Sequence, residues 1–167
     1  MSGRASKNKG KAGERELCRI LEKYLGGNFE RISYSGAFIG GQNFVRKERM
    51  TEAQIKASKA DIFAPDHLSK LVVESKFYKE FPYHRLVMGE SVLILDEWIS
   101  DLEHDCDEED FGILCVKVNR KGWFICFNRK FEEKFSLSDF TTYKGYIVVG
   151  LDLFMKKNKN QVIKLSS

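Results

Sequence analysis

The sequence predicts an α/β fold in which a mixed β-sheet is flanked by helices. Short apolar runs bounded by turn residues alternate with two segments of helical periodicity. Charged residues make up 31% of the chain while prolines number only two, a balance typical of folded mixed domains and not of disordered chains. At 167 residues the chain can bury about two thirds of the surface its unfolded form would expose.

Residues 1–12, built of Ser, Gly, Asn and Lys, read as a flexible basic arm, and residues 13–167 as a single domain. A helix is expected from Gly13, because Leu17, Ile20, Leu21 and Tyr24 share one face and Gly26-Gly27 supplies a stop. A short strand over 29–32 leads into a glycine-rich loop at 35–41. A basic segment follows, and the Thr51…Gln54 spacing of a capping box starts a short helix there. Two strands come next, over 60–64 and 71–76, broken by Pro65-Asp66-His67. A second amphipathic helix spans 91–103, with Val92, Leu93, Leu95, Ile99 and Leu102 at helical spacing. Residues 112–118 and 123–127 read as strands joined by the turn Asn119-Arg120-Lys121-Gly122, and 146–149 as one more strand before an irregular or helical tail.

The net charge of +4 hides strong clustering. Arg4, Lys7, Lys9, Lys11 and Arg15 crowd the first stretch. Arg46, Lys47, Arg49, Lys56 and Lys59 form a second, and Lys156, Lys157, Lys159 and Lys164 a third, against an acidic block at 101–110. Such separation suits a polyanion partner, although solvated faces produce similar runs. Within the acidic block, the stretch 103–110 could bind a cation, but it lacks the glycine and alternation of a calcium loop and reads as a solvated helix end. Four cysteines and three histidines show no paired spacing for zinc. Cys115 and Cys126 lie on strands expected to pair; reduced, buried thiols are the favoured reading over a bridge. No apolar run approaches the roughly 20 residues needed to span a bilayer, and no secretory leader is read, so no membrane partner is expected. The expected compartment is the cytoplasm, or the nucleoid if DNA is the substrate.

The informative stretch is Asp61, twelve intervening residues, then Glu74-Ser75-Lys76. Side chains alternate on a strand, so Glu74 and Lys76 share a face that Ser75 does not. They end a run led by apolar Leu71, Val72 and Val73. Burying an uncompensated carboxylate or ammonium there would cost several kcal/mol, which points to a metal, a partner or a solvent-facing mouth. If the two strands pair as a hairpin, Asp61 reaches the same mouth. Two carboxylates can hold a hard divalent cation, Mg²⁺ with Mn²⁺ as substitute, leaving positions for water and phosphate. Lys76 could then orient or deprotonate the attacking water and neutralise the phosphate. A surface salt-bridge network at a strand end is the alternative.

This spacing resembles the motif of the PD-(D/E)XK nuclease superfamily, although Ala60 stands where the motif has a proline. Upstream, Lys9-Gly10-Lys11-Ala12-Gly13-Glu14-Arg15-Glu16-Leu17 resembles the opening helix of archaeal-type Holliday-junction resolvases, with Glu14 at the position of a metal-site glutamate. Arg31-Ile32-Ser33-Tyr34-Ser35-Gly36 resembles the strand and serine-containing loop of that family. Runs such as Glu-Ser-Lys-Phe-Tyr-Lys also look like phage-borne nucleases.

The resemblance implies a restriction-endonuclease-like fold and a Mg²⁺-dependent endonuclease. Its catalytic residues would be Glu14, Asp61, Glu74 and Lys76, and its metal ligands Asp61, Glu74, Glu14 and Ser75. Lys7, Lys9, Lys11, Arg15, Arg120 and Lys121 are expected to meet DNA; Ser33 and Ser35 could bond a phosphate or cap a turn. Branched four-way junctions cut by a homodimer are the implied target. The longer segment 37–59 leaves open a sequence-specific or nonspecific duplex endonuclease, and a catalytically idle DNA-binding module is a third reading. Trp98 and Trp123 read as core residues, and His84 as solvated or structural.

Overall fold

A computed structural model of the chain describes residues 3–32 and 60–167. Its strands are β1 (Glu30–Arg31), β2 (Ile62–Phe63), β3 (Leu71–Tyr78), β4 (Phe111–Val118), β5 (Gly122–Asn128), β6 (Thr141–Tyr143) and β7 (Tyr146–Gly150). The helices are α1 (Gly3–Leu25), α2 (Tyr83–Val87), α3 (Leu93–Asp105) and α4 (Leu151–Ser166). Short 3₁₀ turns occupy Asp66–Leu68 and Arg129–Lys134.

The strands form one sheet in the order β1-β2-β3-β4-β5-β7-β6. Only β3 and β4 pair in parallel, with α2 and α3 as the crossover; the remaining pairs are antiparallel. The expected mixed sheet with helical flanks is therefore what the chain adopts.

Alternation along the central strands divides the interior into two cores. Val73, Ile113, Cys115, Ile125, Phe127, Ile147 and Val149 face α1 and α4, where Leu17, Leu21, Phe154 and Met155 cover them. Val72, Leu114, Val116, Phe124, Cys126 and Val148 face α3, where Leu95, Trp98, Ile99 and Leu102 close the layer. Each such side chain, fully buried, contributes about 1.5–3 kcal/mol of transfer free energy. Cys115 and Cys126 lie in opposite cores, so the strand pairing that brings them near cannot bridge them; all four thiols are free.

Several boundaries differ from the sequence expectation. The expected flexible arm at 1–12 is helical from Gly3, so α1 begins ten residues before Gly13. Ala5, Lys7, Lys9, Lys11 and Ala12 are good helix formers, and lengthening an existing helix avoids the nucleation cost. The strand expected over 60–64 shrinks to Ile62–Phe63, because Ala60 adopts a left-handed φ of 65°. Helix α3 starts at Leu93, after Ser91; the Val92 N–H is taken by the Tyr143 hydroxyl at 2.7 Å, which donates in turn to Asp96 at 2.7 Å. That pair ties α3 to β6, a strand too short to show alternation in the sequence. The capping box at Thr51 and the loop glycines Gly36, Gly40 and Gly41 lie outside the described residues.

Two glycines set how α1 meets the sheet. A Cβ on Gly13 would come within 3.1 Å of the Phe77 ring, so its absence lets the helix lie close on β3. Gly26, at φ 73°, ends the helix in the left-handed conformation, its N–H bonding the Glu22 carbonyl at 3.0 Å.

Candidate active site

Strand β3 carries the site because its first half is buried on both faces and its second half is not. Glu74 sits at the changeover and is 6% exposed, the one charged side chain among the described residues that the fold buries. The strand alternation sends Glu74 and Lys76 towards α3, and Ser75 towards α1.

Asp61 joins them through the expected hairpin. Its N–H donates to the Val73 carbonyl at 3.1 Å, Ile62 pairs with Val73, and the Asp61 carboxylate accepts the Ser75 N–H at 3.0 Å. The Asp61 and Glu74 carboxyl groups lie close enough for each to feel the other's charge. On the other side of Glu74, the Lys76 ammonium lies 2.8 Å from its Oε1 and 3.2 Å from Asp101 Oδ2 on α3.

Electrostatics follow from this crowding. Burial, with the Asp61 carboxylate beside it, pushes the Glu74 carboxyl up to about 8 against the opposing pull of Lys76. Burial works to lower the Lys76 ammonium, but Glu74, Asp61 and Asp101 outweigh it and leave the pKa above its ordinary value. Lys76 is therefore a stable cation at neutral pH, suited to orienting and neutralising anions; of its two expected roles, taking a proton from water is disfavoured.

Two neighbouring carboxyl groups in a half-open site are a fitting donor set for a hard divalent cation, which prefers oxygen ligands. Among the described residues no third His, Cys, Asp or Glu completes a cluster with them. Ser75 can contribute through its backbone: its N–H points to Asp61, and in a strand the carbonyl of the same residue points to the same side. Its side chain, on the α1 face, is not available to this site.

Glu14 lies elsewhere. Its Oε2 accepts from Arg31 Nε at 2.7 Å, and Arg31 pairs with Ile62, which belongs to the core under α1. The glutamate expected at the metal thus stands on the opposite face of the sheet with a guanidinium partner. Its helical neighbour Glu16 accepts from Lys117 and, at 2.9 Å, from Trp123 Nε1, fixing α1 across β4 and β5.

Those predicted DNA-contacting residues that the structure describes lie on α1 and on the β4–β5 turn. Gly13 rests on Phe77 and Tyr78 pairs with Val118, so α1 at Gly13 and the β4–β5 turn both lie where β3 ends. Lys7 and Lys9 occupy the first turns of α1; Lys11 and Arg15 are exposed further along it, and Arg120 and Lys121 are exposed at the turn. Arg120 holds a φ of 60°, a conformation that glycine or asparagine takes more readily. Ser33, Ser35 and the segment 37–59 lie outside the described residues. Trp98 is buried against Tyr78 and Phe81, and Trp123 packs at the edge of the α1 core, as the core reading expects.

Asp101 and Asp105 are the residues the sequence reading missed. Both belong to the acidic block 101–110, of which 103–110 reads as a solvated helix end, yet Asp101 reaches Lys76 and Asp105 Oδ2 accepts the Ala60 N–H at 3.2 Å. Only their i,i+4 spacing on α3 hinted at a shared face. The Ala60 geometry also explains the missing motif proline: proline fixes φ near −65° and has no N–H, whereas this position uses a φ of 65° and a donated N–H.

Residues 5–164 match the family described as "Phage putative PDDEXK endonuclease". No curated protein matches the chain. A solved structure of Hjc, a Holliday junction resolvase of the archaeal hyperthermophile Archaeoglobus fulgidus, is similar at 12% identity over 92% of this chain and 99% of that one, with a TM-score of 0.37.

Proposed function

The chain belongs to this family of phage PDDEXK endonucleases, and from that premise we propose a Mg²⁺-dependent DNA endonuclease that hydrolyses phosphodiester bonds at Asp61, Glu74 and Lys76. The observation that carries the reading is the convergence of the three side chains on one sheet face, with the Asp61 carboxylate on the Ser75 N–H beside Glu74 and the ammonium 2.8 Å from Glu74. Mg²⁺, or Mn²⁺ in its place, held by Asp61, Glu74 and the Ser75 carbonyl would acidify a water nucleophile and screen charge on the phosphate.

The protein's own groups supply the rest. Asp61 and Glu74 fix where the scissile phosphate sits relative to β3. Lys76, kept protonated, orients the incoming oxygen and offsets the charge that builds on the phosphoryl oxygens. Lys7, Lys9, Lys11 and Arg15 on α1, with Arg120 and Lys121 on the β4–β5 turn, hold the DNA backbone. Each phosphate they neutralise steepens the log–log salt dependence of binding by about 0.9.

A branched four-way junction is the proposed substrate, on the strength of the residue runs 9–17 and 31–36. Paired symmetric cuts need two sites, which a two-fold homodimer provides. The same site would serve a sequence-specific or nonspecific duplex nuclease, so substrate geometry is the variable to test. A catalytically idle DNA-binding module has no use for a buried carboxyl pair beside an ammonium.

The test is incubation with Mg²⁺ of a labelled four-way junction, a matched linear duplex and a single strand, alongside Asp61→Ala. Symmetric nicks confined to the junction, absent in Asp61→Ala, are expected. Equal cutting of the linear duplex removes the junction assignment and leaves the duplex nuclease. Binding without cutting in Mg²⁺ or Mn²⁺ favours the idle module. Sedimentation of the free protein and its junction complex reports the dimer.

A further inference from the structure

Helix α3 is anchored on the sheet by Leu95, Trp98, Ile99 and Leu102, and Trp98 lies 4.7 Å, ring to ring, from Tyr78 at the end of β3. This fixed helix presents Asp101 and Asp105 one turn apart on one face. Asp101 Oδ2 receives the Lys76 ammonium at 3.2 Å, and Asp105 Oδ2 receives the Ala60 N–H at 3.2 Å. The two aspartates thus reach the two separate arms of the site: Lys76 on β3, and the turn that delivers Asp61 into β2.

Each arm needs such a hold. A lysine side chain has four rotatable bonds, and its other partner, Glu74, is engaged with Asp61. Ala60 is left-handed, a backbone state that persists for a non-glycine residue only when its surroundings over-determine it. The geometry points to α3 as a brace for the site, with Asp101 and Asp105 as positioning residues that keep Lys76 and Asp61 in register with Glu74. Neither aspartate touches the reacting atoms. The brace rests on the nuclease reading for its effect on rate, but its contacts can be measured without DNA.

Asp101→Ala, Asp101→Glu, Asp105→Ala and Asp105→Asn separate position from fold. A misplacement of about 1 Å costs up to ~100-fold in rate, so Asp101→Ala is expected to lower kcat by about 10- to 100-fold. KM and Tm should stay put, because Asp101 is a largely exposed partner; Asp101→Glu should recover most of the rate. Asp105→Ala should speed amide exchange at Ala60 by about 10-fold, the worth of one hydrogen bond, and lower kcat with it. Asp105→Asn, which keeps an acceptor oxygen, should restore both. Reductive methylation of Lys76, followed by mass spectrometry, should quicken in Asp101→Ala. Wild-type kcat and methylation in Asp101→Ala would overturn the Lys76 arm; unchanged Ala60 exchange in Asp105→Ala would overturn the other. If the wild type cuts no DNA, the nuclease reading fails, and Ala60 exchange with Lys76 methylation still decides the brace.

Discussion

Glu14 and Glu74 stand on opposite faces of the same sheet and live in opposite electrostatic conditions. Glu14, on α1, keeps a guanidinium 2.7 Å away and holds the helix to β1. Glu74, on β3, is buried beside Asp61, and its carboxyl group is pushed up to about 8. One glutamate already has its cation built in. The other has an ammonium 2.8 Å away but is crowded by a second carboxyl group. What separates the two is the second carboxyl group beside Glu74, since each glutamate has a cation at hydrogen-bond distance.

The sharpest way to break this comparison is by substitution at the two positions. Asp61→Ala and Glu74→Ala are expected to lower kcat by at least 10²–10³-fold, the scale seen when a transition-state stabilising group is removed. Glu14→Gln should cost well under a tenth of that loss, leaving stability lower by about 1 kcal/mol through the weakened Arg31 pair. Single-turnover cleavage on one DNA substrate measures all three. A Glu14→Gln defect as deep as that of Asp61→Ala would return Glu14 to the metal centre.

Titration sharpens it next. Glu74 holds its proton up to about pH 8 when folded, but only to 4.5 when unfolded. Between those values the native state binds more protons, so this contribution to stability is complete below pH 4.5 and falls away as pH rises through 8. Lys76, shifted upward from 10.5, acts only above this window. The cation-free protein should therefore lose a few kcal/mol across it, on the order of 5 °C or more in Tm. Glu74→Gln should flatten the loss, and Mg²⁺ should raise Tm more at pH 8 than at pH 6. Thermal melts with and without the cation check both; equal Mg²⁺ gains at the two pH values would count against Glu74 as its ligand.

Smaller effects belong to the α1 face and to the approach to Asp61. Glu16→Gln weakens the contacts to Lys117 and Trp123, costing about 1 kcal/mol in denaturant melts with kcat unchanged. Burial raises the Glu16 pKa and its bonds to Lys117 and Trp123 lower it further than that, so its contribution is lost as pH falls below 4.5. Smallest of all, Ala60→Gly relieves the left-handed strain while loosening the unfolded chain, for a net change of a few tenths of a kcal/mol.

The α3 face was legible in sequence only along β3. Glu74 and Lys76 share a face because strand alternation is a local rule, and Asp61 follows once the two strands pair. Asp101 and Asp105 escaped because their contacts cross 25 and 45 residues to Lys76 and Ala60, distances over which local pattern carries no information. The Glu14–Arg31 pair escaped for a related reason. The helix of Glu14 was foreseen, but which face of the sheet that helix covers depends on Gly13 meeting Phe77 and Leu17 entering the core with Phe154. The early start of α1 shows a different gap: polar composition suggested an arm, whereas helix propensity among Lys and Ala residues favours continuation.

The shared core of α1 and α4 has a kinetic consequence. Tyr24 and Asp152 bond across 128 residues, and Leu17 and Leu21 are covered by side chains of α4. Contacts so distant in sequence form slowly, since a loop of that span must close before they contribute. During synthesis, Asp61, Glu74 and Lys76 leave the ribosome long before the helix that completes the layer behind their sheet. A nascent chain therefore carries these three residues on an unfinished scaffold, and the layer behind them closes only once translation has passed α4.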